Sequence, residues 1–281
     1  MLQDIKVIIF DLDGTVYQDT HHFKYYAQRL CEKLPQEVHE AFWRDYDAAV
    51  GGTHALQIGT IYDVKEDLIL KQKDNEVVAG LTWDGNEVSK EKLQEIYGGR
   101  TLSYDFNTML NVGDLWWIPG SISRHYGIND EDAQTSFGET RLYMMTEKFK
   151  MEQIPGFKAL LHSLADKVKV VLLTNSPEED SEVILHKVGI ADVFDYKIFN
   201  GKKPIHTKKH LQSVKDRYDV DFHEILSIGD NAINEIIPAK ELGCKTILID
   251  PHHIFAGEGM ANFADMRVEN IEGYMELLKQ K

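Results

Sequence analysis

The sequence predicts an α/β fold: a doubly wound parallel sheet with an inserted, mainly helical domain. Three observations lead there. Several short apolar runs, rich in β-branched residues, each stop abruptly at a polar loop. From about residue 155 onward, helical patterns alternate with these runs. The first run is separated from the next by more than 100 residues. A continuous apolar run suits a strand buried on both faces. Strand–helix alternation is the pattern of a parallel sheet. A crossover that long is a domain in its own right.

The elements follow in order. Lys6 to Phe10 is the first strand, ending at Asp11-Leu12-Asp13-Gly14-Thr15. Helical stretches follow at His22 to Leu34, Gln36 to Val50 and Asp130 to Phe149. Between them, Asp67 to Lys71 and Glu76 to Trp83 flank a turn-like Lys73-Asp74-Asn75 and suggest a hairpin. Trp116 to Gly120 is apolar and ends in a turn. Strands then recur at Val168 to Leu173, Tyr196 to Phe199, Ile225 to Ile228 and Thr246 to Ile249. Helices between them span Glu178 to Val188, stopped by Gly189, and Pro204 to Tyr218. Asn234 to Leu242 is the last, provided Pro238 sits in its first turn. The expected division is a core of residues 1–16 and 151–281, with an inserted domain over 17–150.

Composition narrows the partners. The formal net charge of −15 repels nucleic-acid phosphates and anionic membranes, so neither is expected as a partner. A small molecule is. Cys31 and Cys244 are the two cysteines, with no Cys-x-x-Cys pair, so a zinc knuckle is not expected and both should be reduced. No leader-like opening and no apolar run of membrane length is visible, which makes the cytoplasm the expected compartment.

In open α/β sheets, ligands bind at the carboxyl ends of the strands. Four such ends here carry groups that suit a phosphate: Asp11 and Asp13, Thr174 and Asn175, Lys203, and Asp230 with Glu235. Two carboxylates one residue apart at a strand end can divide two roles. One attacks phosphorus as a nucleophile. The other gives a proton to the leaving group and later takes one from water. A carboxylate approaching a phosphate is repelled, so a cation is needed, and Mg²⁺ prefers a few carboxylates together with phosphate oxygens. Asp230 offers the distant carboxylate. Lys203 can neutralise the transferring group, and Thr174 and Asn175 can hydrogen-bond it.

These residues, in this order, resemble the haloacid dehalogenase-like (HAD) hydrolase superfamily, with its Rossmann-like core. The resemblance covers the N-terminal segment and about residues 150 to 270. Its motifs stand here as Asp11-Leu12-Asp13-Gly14-Thr15, as Thr174 in Leu172-Leu173-Thr174-Asn175, as Lys203-Pro204, and as Gly229-Asp230 running to Glu235. The resemblance implies Asp11 as nucleophile, Asp13 as acid/base, and Mg²⁺ held by Asp11, Asp230 and the Asp13 backbone carbonyl. It implies a C1-type cap, which usually closes over the site and selects the substrate. The expected activity is hydrolysis of a small phosphorylated metabolite through an aspartyl-phosphate.

Two departures stand out. Glu235 occupies a position that is usually Asp, from where it can reach Mg²⁺ through a water or serve as a first-turn helix-dipole residue. Ile205-His206 replaces the more frequent acidic-Pro continuation. Rival readings are a phosphomutase of the same family and a non-catalytic relic that binds phosphate or protein. A dehalogenase would lack the second carboxylate, Asp13. A phospho-accepting receiver domain fits the long insertion poorly. His21-His22 and His252-His253 are expected as surface residues, Trp116 and Trp117 as core of the inserted domain, and Asp130-Glu131-Asp132 as a solvated helix start.

Overall fold

A computed structural model describes residues 2–73, 75–105, 107–251 and 264–279. The chain divides into two compact units, residues 1–19 with 142–281, and residues 20–141. The first strand, β1 (Val7–Phe10), belongs to the first unit. The second unit follows, with α1 (His21–Glu32), α2 (His39–Val50), β2 (Thr60–Asp63), β3 (Leu68–Lys73), β4 (Glu76–Thr82), α3 (Lys90–Tyr97), β5 (Met109–Val112), α4 (Trp117–His125) and most of α5 (Asp130–Met145). The chain then returns to the first unit with α6 (Phe157–Leu164), β6 (Lys169–Leu173), α7 (Glu178–Lys187), β7 (Tyr196–Ile198), α8 (Thr207–Tyr218) and β8 (Ile225–Gly229). A single turn of π-helix over Ala232–Ile236 runs into α9 (Ile237–Glu241), followed by β9 (Lys245–Ile249), β10 (Met266–Val268) and α10 (Ile271–Leu278).

The first unit is built on a six-stranded sheet in the order β10-β9-β8-β1-β6-β7. Every pairing in it is parallel. β1 lies centrally, with Phe10 level with Leu172 of β6 on one side and Ile228 of β8 on the other. Side chains on β1 alternate between faces, and both faces are covered. Val7 and Ile9 join a cluster with Leu211 and Val214 of α8 and Ala239 of α9. Phe10 meets Phe157 of α6 and Tyr274 of α10, with ring centroids 6.2 and 5.9 Å away. Burial on both sides is why β1 reads as an unbroken apolar run. The strands after β1 first go to one side of it, then to the other, so the carboxyl ends of β1, β6 and β8 form the switch-point crevice of the sheet.

The second unit is more than a helical insertion. The expected hairpin is there as β3 and β4, and β2 and β5 extend it to a four-stranded antiparallel sheet. Tyr62, Ile69 and Leu110 face α1, α2 and α4 through Tyr26, Leu30, Phe42, Ile118 and Ile122. Ile61, Leu68 and Leu70 face Leu93 and Tyr97 of α3.

The sequence reading needs correction at several points. His22 is fully buried rather than on the surface; its ring lies 4.9 Å from Trp116 and 3.9 Å from Phe23. His21 is exposed, as expected. Trp116 packs against the core of the second unit. The segment read as ending in a turn at Gly120 is instead α4, because Pro119 lies in its first turn, where a missing N–H breaks no helical bond. Pro238 sits in the first turn of α9 for the same reason. The helix expected from Pro204 starts at Thr207. His252 and His253 lie outside the described residues. Both cysteines are free and buried. No helix among the described residues is long and apolar enough to cross a membrane.

Candidate active site

The strand ends expected to converge do so within the first unit. β1 delivers Asp11, whose amide donates to the Ile228 carbonyl of β8 (3.0 Å). β6 delivers Thr174, whose amide donates to the Ile198 carbonyl of β7 (2.9 Å). The loop after β7 folds back onto the Thr174 loop: Gly201 donates to the Thr174 carbonyl (2.8 Å) and Asn200 to the Ser176 carbonyl (3.0 Å). That tight return puts Asn200 and Lys202 in the left-handed region, both at φ 50°. Non-glycine residues rarely hold this conformation, and it concentrates at functional sites.

Lys203 is the hub. Its side chain is 2% exposed. Nζ donates to Asp11 Oδ1 at 2.6 Å and to Glu235 Oε1 at 2.5 Å. The Asn175 side chain grips the Lys203 backbone from both sides: Lys203 N–H donates to Oδ1 (2.6 Å), and Nδ2 donates to the Lys203 carbonyl (3.1 Å). Burial alone would lower the pKa of the Lys203 ammonium, but the charges of Asp11 and Glu235 and their hydrogen bonds outweigh it and hold it above its ordinary value. Asp11 moves up from its ordinary value: burial disfavours its charge more than Lys203 favours it, and nearby Asp13 adds repulsion.

The Glu235 position has a clear local cause. Oε2 accepts from the Asn231 amide (3.0 Å), and the Glu235 backbone carbonyl accepts from Ser227 Oγ (3.1 Å). Any side chain at Gly229 would strike Glu235, with a Cβ falling 2.6 Å from its Cγ. Glycine is therefore required for this approach. Asn231 caps the π-turn that carries Glu235, its Oδ1 accepting from the Asn234 amide (3.2 Å).

Asp13 is held on both oxygens. Tyr17 Oη donates to Oδ1, and Ser176 Oγ donates to Oδ2 at 2.9 Å. The Ser176 amide in turn donates to Thr174 Oγ1 (3.1 Å). Neither Tyr17 nor Ser176 was singled out by the sequence; the available signal was their spacing, four residues after Asp13 and two after Thr174. Behind the loop, Tyr274 Oη donates to the Thr15 carbonyl (2.7 Å). Asp230 comes up against Gly14, which has φ +71° and no room for a Cβ beside that carboxylate.

The acids at this edge, Asp11 and Asp13 on one loop and Asp230 on another, offer hard carboxylate oxygens, and the Asp230 carboxylate lies against Gly14, the residue after Asp13. Among the described residues, no group of three or more His, Cys, Asp or Glu is arranged to hold a metal ion. Hard carboxylate oxygens are the donors that Mg²⁺ takes, one or two at a time, completing its shell with other oxygens.

The matches with known proteins agree with the fold. A family model for haloacid dehalogenase-like hydrolases matches residues 5–243. The chain belongs to that family. Among curated proteins, it is 25% identical over 111 residues to pyrimidine 5'-nucleotidase YjjG of Escherichia coli K12. That match covers 38% of this chain and 49% of YjjG, about half the relative's length. Among solved structures, the HAD-hydrolase YfnB from Bacillus subtilis, bound to magnesium, superposes with a TM-score of 0.53 at 13% identity, covering 98% of each chain. A predicted phosphoglycolate phosphatase from Haemophilus somnus 129pt gives 0.51 at 14% identity, covering 99% of each. At such identities these likenesses speak for the HAD-like fold alone.

Proposed function

We propose that this hydrolase is a Mg²⁺-dependent phosphatase that cleaves a small phosphomonoester through an aspartyl-phosphate on Asp11. One observation carries the reading: a buried carboxylate at the end of the central strand is paired with a buried lysine, and a second, doubly hydrogen-bonded carboxylate lies two residues on. In this reading, Asp11 attacks phosphorus while Asp13 gives its proton to the leaving oxygen. Asp13 then takes a proton from the water that cleaves the acyl phosphate. Lys203 and the Thr174 hydroxyl stabilise charge on the transferring group. Asp11, Asp230 and the Asp13 carbonyl would hold Mg²⁺, which when bound offsets the repulsion between carboxylate and phosphate. Glu235 acts through Lys203, given that its oxygens engage Lys203 and the Asn231 amide.

The presence of Asp13 supports a phosphatase over a dehalogenase, since an aliphatic halide leaves without a proton. The test is phosphate release from p-nitrophenyl phosphate with Mg²⁺ or EDTA, using wild type and Asp11→Asn. Release that needs Mg²⁺ and disappears in the variant is the expected result. A folded wild type inactive on this compound, on pyrimidine nucleotides and on phosphoglycolate overturns the reading. The last two substrates are taken from the names of the relatives above.

A further inference from the structure

We propose that Tyr17 and Ser176 are positioning residues that aim the Asp13 carboxyl at the leaving-group oxygen. The inference rests on the phosphatase reading and adds to it the device that orients the acid. Asp13 follows the strand by three residues, on a loop whose Gly14 takes a left-handed conformation, so strand pairing does not hold it. The Tyr17 and Ser176 hydroxyls hold its carboxyl instead. Tyr17 is 1% exposed and Ser176 is 6% exposed, so both donors are themselves fixed by burial. They come from two separate segments: Tyr17 from the chain just after the Asp11 loop, and Ser176 from the loop after β6. Ser176 is anchored in its turn, its amide on Thr174 Oγ1 and its carbonyl on the Asn200 amide. With one donor on each oxygen, the carboxyl plane is set by two rigid points rather than one.

The chemical consequence falls on one bond. In the first step, an Asp11 oxygen forms a bond to phosphorus as the bond from phosphorus to the leaving oxygen breaks. The departing electron pair takes the proton from Asp13, leaving Asp13 as a carboxylate. In the second step, water adds its oxygen to phosphorus, gives a proton to Asp13, and releases Asp11. Misaiming Asp13 therefore penalises the first step in proportion to how badly the leaving group needs a proton. A nitrophenolate departs readily without one, and an aliphatic alkoxide does not.

The experiment measures kcat/KM, which reports the step up to Asp11 phosphorylation, for p-nitrophenyl phosphate and for an alkyl phosphate that wild type turns over. The variants are Tyr17→Phe, Ser176→Ala and Ser176→Thr, each checked for a wild-type unfolding transition. We expect Tyr17→Phe and Ser176→Ala to lose about tenfold on the alkyl phosphate and under about threefold on p-nitrophenyl phosphate. Ser176→Thr keeps the hydroxyl and should recover most of the alkyl activity. Equal losses on the two substrates, or none on either, overturn the positioning role while leaving the phosphatase reading intact. If Ser176→Ala does not fold, Tyr17→Phe, which keeps the ring, decides alone. A folded wild type inactive on p-nitrophenyl phosphate, on pyrimidine nucleotides and on phosphoglycolate instead removes the phosphatase reading and the inference together.

Discussion

Both units bury aspartates, but they satisfy them in opposite ways. In the second unit, Asp45 Oδ2 accepts from Trp83 Nε1 (2.9 Å) and Tyr126 Oη (2.6 Å), and its other oxygen accepts from Arg44. Asp63 accepts from Tyr97 Oη (2.7 Å) and from the Lys65 and Glu66 amides. In the first unit, Asp11 faces a buried ammonium and a neighbouring carboxylate. The pKa directions follow. Burial pushes Asp45 up, yet hydrogen bonds from Tyr126, Trp83 and Arg44 hold it below its ordinary value. For Asp11, burial and Asp13 win over Lys203, and it rises. A buried carboxylate whose oxygens are all taken up by local Trp, Tyr and Arg donors is a structural anchor. One sharing a lysine with a second acid holds uncompensated potential that a ligand can use.

The sharpest way to break this contrast is to remove the shared cation. Lys203→Met leaves Asp11 and Glu235 buried together without a counter-charge. Breaking a buried pair this way costs about 3–5 kcal/mol. Urea unfolding should show that loss, and p-nitrophenyl phosphate hydrolysis should fall at least about 100-fold. A Lys203→Met protein as stable as wild type would mean that Asp11 and Glu235 take up protons at little cost, and the contrast with Asp45 would fail.

Asp45→Ala is the counterpart in the second unit. It leaves the Trp83 N–H and Tyr126 O–H without their acceptor, at a cost of about 2–4 kcal/mol at neutral pH. Here the effect of pH has a fixed sign. A carboxyl with a depressed folded pKa contributes stability that is complete above its unfolded value, near pH 4, and is lost as pH falls through the folded value. The gap between wild type and Asp45→Ala should therefore narrow as unfolding is repeated from pH 5 towards pH 2. Asp11, with its pKa raised, contributes in the opposite sense over the range above its unfolded value. A gap that stays constant with pH would show that Asp45 works by shape alone.

The same contrast marks what could be read from the sequence. Strands β1, β6, β8 and β9 were legible because a parallel sheet buries both faces, which leaves an unbroken apolar run. β2 and β5 were not, because their buried positions include the polar residues Thr60, Asp63 and Asn111, of which Thr60 and Asp63 are held inside by hydrogen bonds. β10 is a three-residue edge strand with Arg267 at its centre, too short for a pattern. Helix α4 was obscured by Pro119 and Gly120, whose usual meaning as breakers depends on position within the helix. In the candidate site, residues placed by strand ends were all legible. Tyr17 and Ser176 were not, because their significance lies in which oxygen they reach, and spacing along the chain does not encode that. Glu235 was legible as an acid, but its partner, Lys203, became visible only once the loops had come together.

The smallest effect tests whether the units differ where they should not. Each uses the same helix-start device. Ser89 Oγ accepts from the Lys92 amide at the head of α3 (3.2 Å), and Asn270 Oδ1 accepts from the Gly273 amide at the head of α10 (3.0 Å). Neither helix start carries any of the candidate chemistry. Ser89→Ala and Asn270→Ala should each cost about 1 kcal/mol in urea unfolding. Ser89→Ala should leave kcat/KM on p-nitrophenyl phosphate unchanged. Asn270→Ala is the more informative of the two, since α10 also carries Tyr274, whose hydroxyl holds the Thr15 carbonyl behind the Asp11 loop. If its stability loss matches that of Ser89→Ala while activity drops, fraying at the head of α10 reaches the Asp11 loop through Tyr274. The first unit then couples its stability to its chemistry in a way the second does not.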